Sequence, residues 1–155
     1  MKPKYEEPIH FEPEKDIIPD HRIINIIVIN DRKEILLLHR PPDNIYFGGY
    51  YHILSGKLHP GESFQDGLVR EILEELQCDT NEFEIKRLGD REYTRWNNET
   101  WEMRPFLGIT KGNLDIHLNE EHTDCIWTDL ENIQNIPVIP QVGEMVEKLL
   151  EFSNE

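Results

Sequence analysis

The sequence predicts one mixed α/β domain in which helices sandwich a sheet, and two observations support this fold class. The chain has 155 residues, a length at which a single domain is usual. Its apolar residues follow strand patterns first, then a helical spacing, then strand patterns again, and finally a second helical spacing. This order of strands, helix, strands and helix is typical of a sheet that is covered by helices.

The first residues, 1–21, are predicted to form an extended N-terminal arm, and 22–155 a single domain. The arm carries four prolines among charged residues. Such a segment becomes ordered only when it packs on the body of the protein or on a partner chain. The sequence therefore leaves a homodimer open.

Runs of isoleucine and leucine predict two strands, at 22–30 and 34–40, which form an antiparallel hairpin or lie side by side. The Pro-Pro-Asp-Asn sequence at 41–44 ends the second strand. A short strand is expected around 52–54. The segment 55–61, which contains two glycines and a proline, is predicted to be a loop.

The clearest helix begins after Ser63, whose side chain is a suitable N-cap with Asp66 as its capping-box partner, and extends to about Gln77. Its apolar residues recur at helical spacing: Phe64, Leu68, Ile72 and Leu76, with support from Val69 and Leu73.

Further strands are predicted at 82–93, 100–110 and 124–129. The chain ends on an amphipathic helix that carries Val142, Met145, Val146, Leu149 and Leu150.

The charge of the chain limits its partners. Acidic residues outnumber basic ones by 31 to 16, for a formal net charge of -15. A surface of this sign repels nucleic-acid backbones and anionic lipid, so we expect neither a nucleic acid duplex nor a membrane as partner. Two cysteines in apolar contexts and an N-terminus without an apolar segment favour a cytoplasmic protein. A small phosphorylated substrate is compatible with this negative charge, because clustered carboxylates bind divalent cations and these cations bind phosphate.

Such a cluster is present on the first helix. Four charged residues fall on one arc of a helical wheel, largely opposite Leu73 and its apolar neighbours: Arg70, Glu71, Glu74 and Glu75. Like charges at this spacing destabilise a helix unless a cation lies between them. A hard divalent ion such as Mg²⁺ or Mn²⁺ fits, whereas a solvated acidic face is the alternative. Gly67, on the same arc, indicates a close backbone approach from the preceding loop.

The spacing of these residues resembles the box of the Nudix hydrolase family. Gly56, five residues, Glu62, seven residues and then the sequence Arg-Glu-Ile-Leu-Glu-Glu at 70–75 are similar to G-x5-E-x7-R-E-U-x-E-E-x-G-U, where U is a bulky aliphatic residue. Gln77 replaces the second glycine of the box, and Cys78 replaces its final aliphatic residue. The resemblance extends over roughly 22–150.

The resemblance implies an α/β/α sandwich that hydrolyses a phosphoanhydride, with Mg²⁺ or Mn²⁺, in a nucleoside diphosphate linked to another moiety. The residues that would bind the metal are Glu71, Glu74, Glu75 and the carbonyl group of Gly56. Glu62 would pair with Arg70 behind them and orient the helix. The catalytic residues implied are Arg70, Glu74, Glu75 and Glu121.

Glu121 is our hypothesis for the general base that accepts the proton of the attacking water. A carboxylate bound to a cation is a poor base, so a later loop is a better source than the box. Glu120 is the rival, and a solvated pair of loop carboxylates is the alternative for both. We interpret His122 as a structural residue.

Other residues are candidates for binding the substrate. Arg40 and Lys57 could hold phosphates, with surface charge as the alternative. Four aromatic residues could stack on a base, with core packing as the alternative: Tyr46, Phe47, Trp96 and Trp101. The histidines at 39, 52 and 59 lack the spacing of zinc ligands.

These features favour a metal-dependent pyrophosphohydrolase of a (deoxy)nucleoside triphosphate or a related triphosphate. Nucleotide sugars and dinucleoside polyphosphates stay open as substrates. A catalytically silent nucleotide-binding or regulatory module of the same fold is disfavoured, because every box carboxylate is present. An isoprenoid-diphosphate isomerase of related fold would need a catalytic cysteine, and 50–56 contain none.

Overall fold

The computed structural model describes residues 9–110 and 114–153. The nine strands of this part form one mixed sheet, with a helix on each face. In chain order the strands are β1 (Ile9–Phe11), β2 (His21–Ile29), β3 (Ile35–His39), β4 (Tyr51–His52), β5 (Leu54–Lys57), β6 (Phe83–Arg87), β7 (Glu92–Trp96), β8 (Glu99–Thr110) and β9 (Asp124–Thr128). The helices are α1 (Phe64–Leu76) and α2 (Pro140–Ser153), and short 3₁₀ turns lie at Thr80–Glu82 and Ile133–Asn135. Within these described ranges, neither helix is long and apolar enough to span a membrane.

Strand β2 lies in the middle of the sheet. It runs parallel to β8 along its whole length, and antiparallel to β3 and β5. A central strand covered on both faces has no polar side, which explains why its sequence is a nearly continuous run of isoleucine. The predicted antiparallel neighbourhood of β2 and β3 is confirmed.

Two apolar cores flank the sheet, one under each helix. The core under α1 includes Ile24, Ile26, Val28, Leu68, Ile72 and Leu76. The core under α2 includes Ile27, Ile35, Leu37, Val142, Met145 and Leu149. Alternate residues of β2 enter the two cores because side chains point to opposite faces of a strand. The predicted α/β/α sandwich is confirmed.

Two strand predictions need correction. Part of the predicted loop 55–61 belongs to β5, because its backbone pairs with β2 from Ile26 to Ile23. The predicted strand 82–93 is two strands, β6 and β7, which pair with successive parts of β8. Gly89 separates them with φ of 130°, a conformation that favours glycine.

The described part of the arm packs on the body of the protein. Strand β1 pairs with β7, with Ile9 opposite Arg95. Asp20 and Thr100 exchange two hydrogen bonds, of 2.9 Å and 2.8 Å. The first eight residues of the predicted arm lie outside the described residues, and the division at residue 21 stays a prediction.

Helix α1 begins as expected but buries a different face. The Ser63 side chain accepts a hydrogen bond of 3.1 Å from the backbone N–H of Asp66. Leu73, predicted to support the apolar side, is 50% exposed. The buried positions come in adjacent pairs at four-residue spacing: Gly67 and Leu68, Glu71 and Ile72, Glu75 and Leu76. Two box glutamates therefore lie on the buried side of the helix. In α2, Leu150 is also half-exposed rather than buried.

Gly67 is explained by the residue it faces. A Cβ atom at this position would overlap the side chain of Leu58, which is buried in the core under α1. The close approach therefore comes from the preceding loop, as predicted, but from a side chain rather than the backbone.

The end of α1 keeps the geometry of a glycine cap although Gln77 occupies it. Gln77 has φ 54° and ψ 36°, and its N–H donates to the Leu73 carbonyl at 3.1 Å. Cys78 fills the next, apolar position and is buried. A left-handed conformation is unfavourable for a residue with a Cβ atom.

Replacing Gln77 with glycine should therefore stabilise the fold. We expect Gln77→Gly to raise the free energy of unfolding by about 0.5–1 kcal/mol, because relief of the left-handed strain exceeds the entropic cost of glycine. Urea unfolding in excess chelator measures the change, and Gln77→Ala is the matched control that keeps the strain. Equal stability of the glycine and alanine variants would contradict this explanation.

Candidate active site

The site begins where β5 passes the buried side of α1. A Cβ atom on Gly56 would overlap the carboxyl group of Glu71. Only glycine lets the β5 backbone approach this carboxylate so closely, which is a physical reason for the first glycine of the box. Two predicted metal ligands, the Gly56 backbone and the Glu71 side chain, are thereby neighbours.

Arg70 links the box carboxylates. Its Nε and Nη2 donate to the two carboxylate oxygens of Glu62, each at 2.9 Å. Its Nη1 donates to Glu71 at 2.9 Å and to Glu74 at 3.1 Å, and Nη2 also donates to the Lys57 carbonyl at 3.0 Å. The expected pairing of Glu62 with Arg70 is present, and this pair ties the loop that follows β5 to the helix.

Each member of the Glu62–Arg70 pair shifts the pKa of the other towards its charged form. Hydrogen bonds from Arg70 lower the pKa of Glu62 to about 2, with help from the backbone N–H of His59. The same carboxylate raises the pKa of Arg70. Both groups therefore stay charged in solution near neutral pH.

Glu71 and Glu75 are buried carboxyl groups, at 6% and 4% exposure, whereas Glu74 is exposed. This corrects the expectation that all three carboxylates lie on one arc of the helix, largely opposite the apolar residues. Burial raises the pKa of both Glu71 and Glu75, and the neighbouring Glu71 and Glu121 raise that of Glu75 further. Two carboxyl groups this close cannot both ionise cheaply without a counter-charge.

The loop before β9 brings two more groups to the same place. Asn119 fixes this loop, because its side chain donates to the Glu74 carbonyl at 3.0 Å and accepts from the Glu121 N–H at 2.9 Å. One ligand atom from each of Glu75, Glu121 and His122 lies within 4.8 Å of the other two. Glu121 thus contacts the buried end of the box helix.

His122, which the sequence analysis interprets as a structural residue, is also a functional candidate in the structure. Its side chain is 9% exposed, and Nδ1 lies 4.0 Å from Glu75 Oε2. Both of these buried atoms lack a hydrogen-bond partner in the described part of the chain. Burial, and then the charge of Arg40, lowers the pKa of His122 to about 4, so the ring is neutral near pH 7 and able to bind a cation. Its position next to Glu121 was the only signal in the sequence.

The residues present fit a divalent cation. Glu75 Oε2 is a buried carboxylate oxygen without a partner among the described residues, and other carboxylates converge on it. Carboxylate and carbonyl oxygens are the ligands that Mg²⁺ and Mn²⁺ prefer. A bound cation would offset the charges that burial otherwise makes unfavourable.

Two cavities meet at the site. A cleft of about 1060 Å³ is lined by seven of the predicted residues: Gly56, Lys57, Arg70, Glu71, Glu74, Glu75 and Glu121. A smaller cavity of about 480 Å³ holds Arg40, His52 and Glu120. Glu75 and Glu121 line both. Glu120, the rival base, is among the lining residues of the smaller cavity only.

Three of the four predicted aromatic residues form a cluster beside the cleft. The Trp101 ring centroid lies 6.0 Å from that of Trp96, which lies 6.3 Å from Tyr46. Lys57, which lines the cleft, has its Nζ 5.6 Å from the Trp101 centroid. Phe47 contacts Tyr50, with centroids 5.7 Å apart.

The ion pair of Glu62 with Arg70 predicts a pH dependence of stability. The pKa of Glu62 is about 2 in the folded chain against an ordinary 4.5. Its ionised form therefore stabilises the fold fully above about pH 4.5, and the contribution is lost as the pH falls towards 2. We expect Glu62→Gln to lower the free energy of unfolding at pH 7, with a difference from wild type that narrows between these values. Urea titrations at several pH values measure it, with exposed Glu147→Gln as control; a difference independent of pH would contradict the assignment.

Comparison with known proteins places these residues in a family. A model of the NUDIX domain matches residues 19–149. The nucleoside triphosphatase NudI of Klebsiella pneumoniae is 29% identical over 127 residues, which cover 74% of this chain and 86% of NudI. The MutT protein of Methanosarcina mazei Go1 has a TM-score of 0.73 at 22% identity, covering 93% of this chain and 100% of that one. An Ap4A hydrolase of C. elegans, solved as a binary complex, has a TM-score of 0.70 at 18% identity, covering 86% and 98%.

The two solved structures share the fold of this chain, and the residues that the family model matches include the box, from Gly56 to Cys78. The chain therefore belongs to the NUDIX domain family, and the enzyme class expected from its sequence, a Nudix-type phosphoanhydride hydrolase, is confirmed.

Proposed function

We propose that the chain is a pyrophosphohydrolase of nucleoside triphosphates, or of related triphosphates, that requires Mg²⁺ or Mn²⁺. The observation that carries the metal requirement is the buried, unpartnered oxygen of Glu75 among converging carboxylates. The triphosphate is supported by the similarity to NudI, which is named a nucleoside triphosphatase. The small substrate also agrees with an acidic chain that repels larger polyanions.

Four groups would hold the ion: the carboxylates of Glu71, Glu74 and Glu75 and the carbonyl of Gly56. Their surroundings support this, because Gly56 lies against Glu71 and both line the cleft with Glu75. When bound, a divalent cation supplies positive charge that stabilises the phosphoryl oxygens as the anhydride breaks. Glu62 and Arg70 act from behind, by fixing the helix that carries these carboxylates.

In the proposed reaction, residues of the protein accept a proton from the attacking water and bind the phosphate groups of the substrate. A water oxygen forms a bond to phosphorus, the phosphoanhydride P–O bond breaks, and a carboxylate oxygen of Glu121 accepts the proton of the water. Glu121 is suited to this role because it reaches the carboxylate cluster from a separate loop and lines the substrate cleft. Glu120 lines the smaller cavity only.

The rest of the substrate is assigned to neighbouring residues. Lys57 lines the cleft beside the Trp101 ring, and Arg40 lines the adjoining cavity, so each could hold a phosphate group. The Trp101, Trp96 and Tyr46 cluster offers aromatic surface for a base. A panel of nucleoside triphosphates, nucleotide sugars and dinucleoside polyphosphates, scored for phosphate and pyrophosphate, tests the substrate. Faster turnover of either of the last two classes would overturn the triphosphate assignment.

Metal binding is tested by Glu75→Gln. In wild type, Mn²⁺ or Mg²⁺ at about 100 times its Kd should add about 2.7 kcal/mol of stability, or roughly 5–10 °C in Tm. We expect Glu75→Gln to lose most of this rise and to reduce kcat by orders of magnitude, because an amide is a poorer ligand for a hard cation. In chelator the variant should be at least as stable as wild type, since a neutral amide replaces a carboxyl group whose ionisation is unfavourable beside Glu71 and Glu121.

Glu147→Gln, an exposed glutamate on α2, is the matched control and should keep the full cation-induced rise in Tm. Full activity of the wild type in excess chelator, or an unchanged metal response in Glu75→Gln, would contradict the metal assignment.

The general base is tested by comparing Glu121→Gln with Glu120→Gln. We expect Glu121→Gln to lower kcat by about 10²-fold or more and to leave the cation-induced rise in Tm nearly intact. Glu120→Gln should have little effect. Loss of the metal response in Glu121→Gln would make it a ligand, and unchanged kcat in both variants would return the base to the box helix.

A further inference from the structure

A third cavity, of about 440 Å³, lies between the connection from β6 to β7, strand β8 and the arm. Three arginines line it: Arg87, Arg91 and Arg104. Its lining residues differ from those of both cavities at the candidate active site. Three of the 16 basic residues of this acidic chain therefore line one cavity, and the proposed reaction assigns no role to any of them.

The sheet register places two of these side chains, Arg87 and Arg104, on one face. Arg87 of β6 is opposite Phe106 of β8, and Arg104 lies two residues before Phe106 on the same strand. Paired residues and alternate residues of a strand share a face, here the face under α1 to which Phe106 contributes. Lys86, the neighbour of Arg87, points to the opposite face, where its Nζ lies 6.0 Å from the ring centroid of Phe152.

The arginines lack the carboxylate partners that such residues normally have. In the part of the chain that the structure describes, no carboxylate oxygen lies within 4.0 Å of a side-chain nitrogen of Arg87 or Arg104. Arg91 has one such neighbour, Glu102, at 3.8 Å. Glu12 and Asp90 also line the cavity, but neither has a carboxylate oxygen within 4.0 Å of a side-chain nitrogen of these three arginines.

Arg104 is held in place yet has an unused donor. Its guanidinium carbon lies 4.2 Å from the centroid of the Phe64 ring, so the group is stacked at the start of α1. Its Nε is buried and has no hydrogen-bond partner among the described residues. A buried N–H of a charged group normally has a partner, so the described part of the chain leaves the hydrogen-bonding capacity of Arg104 incompletely used.

We propose that this cavity binds the phosphate groups of a small ligand, at a site separate from the metal-dependent cleft. A guanidinium group is permanently charged, and its planar set of N–H donors matches the oxygens of a phosphate group. Of the three guanidinium groups, only that of Arg91 has a carboxylate within 4.0 Å in the described residues. The cavity therefore favours a multiply charged oxyanion. The volume suits pyrophosphate or one mononucleotide. Tyr93 and Phe106 also line the cavity, and they provide aromatic surface for a base in the second case.

Calorimetric titration of the full chain with sodium pyrophosphate, in excess chelator, tests the site without the divalent cation that the cleft requires. We expect Arg87→Gln to weaken binding about 10-fold, and Arg87→Gln combined with Arg104→Gln to abolish it, because each charged hydrogen-bonding group contributes strongly. Lys86→Gln removes one positive charge from the opposite face of the same strand and is the matched control. Lys57→Gln removes a cation of the cleft. Neither should change the affinity by more than about twofold.

Absence of binding in wild type, or unchanged affinity in Arg87→Gln, would overturn the proposal. Equal weakening by Lys86→Gln would show general charge attraction, and weakening by Lys57→Gln alone would place the anion in the cleft; both overturn it as well. Arg87 is exposed, so its variant tests the site even if Arg104→Gln folds poorly. Competition with adenosine monophosphate separates the two sources: tighter binding of the nucleotide assigns a nucleotide ligand, and tighter binding of pyrophosphate an inorganic one, each consistent with the phosphate site.

Discussion

The burial of two carboxyl groups, Glu71 and Glu75, on the sheet-facing side of one helix is the constraint on which the site depends. Removing a charge from water is costly unless a counter-charge replaces the lost hydration. Arg70 provides part of that counter-charge to Glu71, and Gly56 provides the space that the carboxyl group occupies. Glu75 has no comparable cationic partner in the described part, and Glu121 adds negative charge beside it. The folded chain therefore holds an electrostatic arrangement that a divalent cation would complete, as the proposed function requires.

The rest of the fold can be understood as the support for this arrangement. Strand β5 carries Gly56 past α1 because its backbone is paired with the central strand β2, which is buried on both faces. Leu58 packs against Gly67, and Glu62 is tied to Arg70, so the loop after β5 contacts α1 at two further points. These contacts keep like charges together although their repulsion favours separation. Proteins commonly accept such a local loss of stability where it serves function.

The sequence predicts those features that depend on local spacing. The helical period and Ser63 predict α1, and the resemblance to the Nudix box implies that Glu62 and Arg70 meet. Features that depend on long-range packing escaped it. Strand β5 is a strand because of its pairing with β2, and Leu73 is exposed because α1 is rotated to bury glutamates in place of that leucine. His122 lies beside Glu75 only because the loop before β9 packs on α1. No local sequence pattern predicts this packing.

The placement of basic residues also determines in which form an acidic chain can bind phosphates. With 31 acidic against 16 basic residues, the field of the molecule disfavours a free polyphosphate and favours a ligand whose charge a divalent cation has reduced. Under the proposed function, the cleft with its buried carboxylates selects the cation complex of the substrate. The proposed phosphate site in the arginine cavity would instead select the bare anion, because in the described part of the chain only one of its three guanidinium groups has a carboxylate oxygen within 4.0 Å. If both proposals hold, free divalent cation would act oppositely on the two sites: it would complete the metal site of the cleft, and it would complex the phosphate ligand and so withdraw it from the arginine cavity.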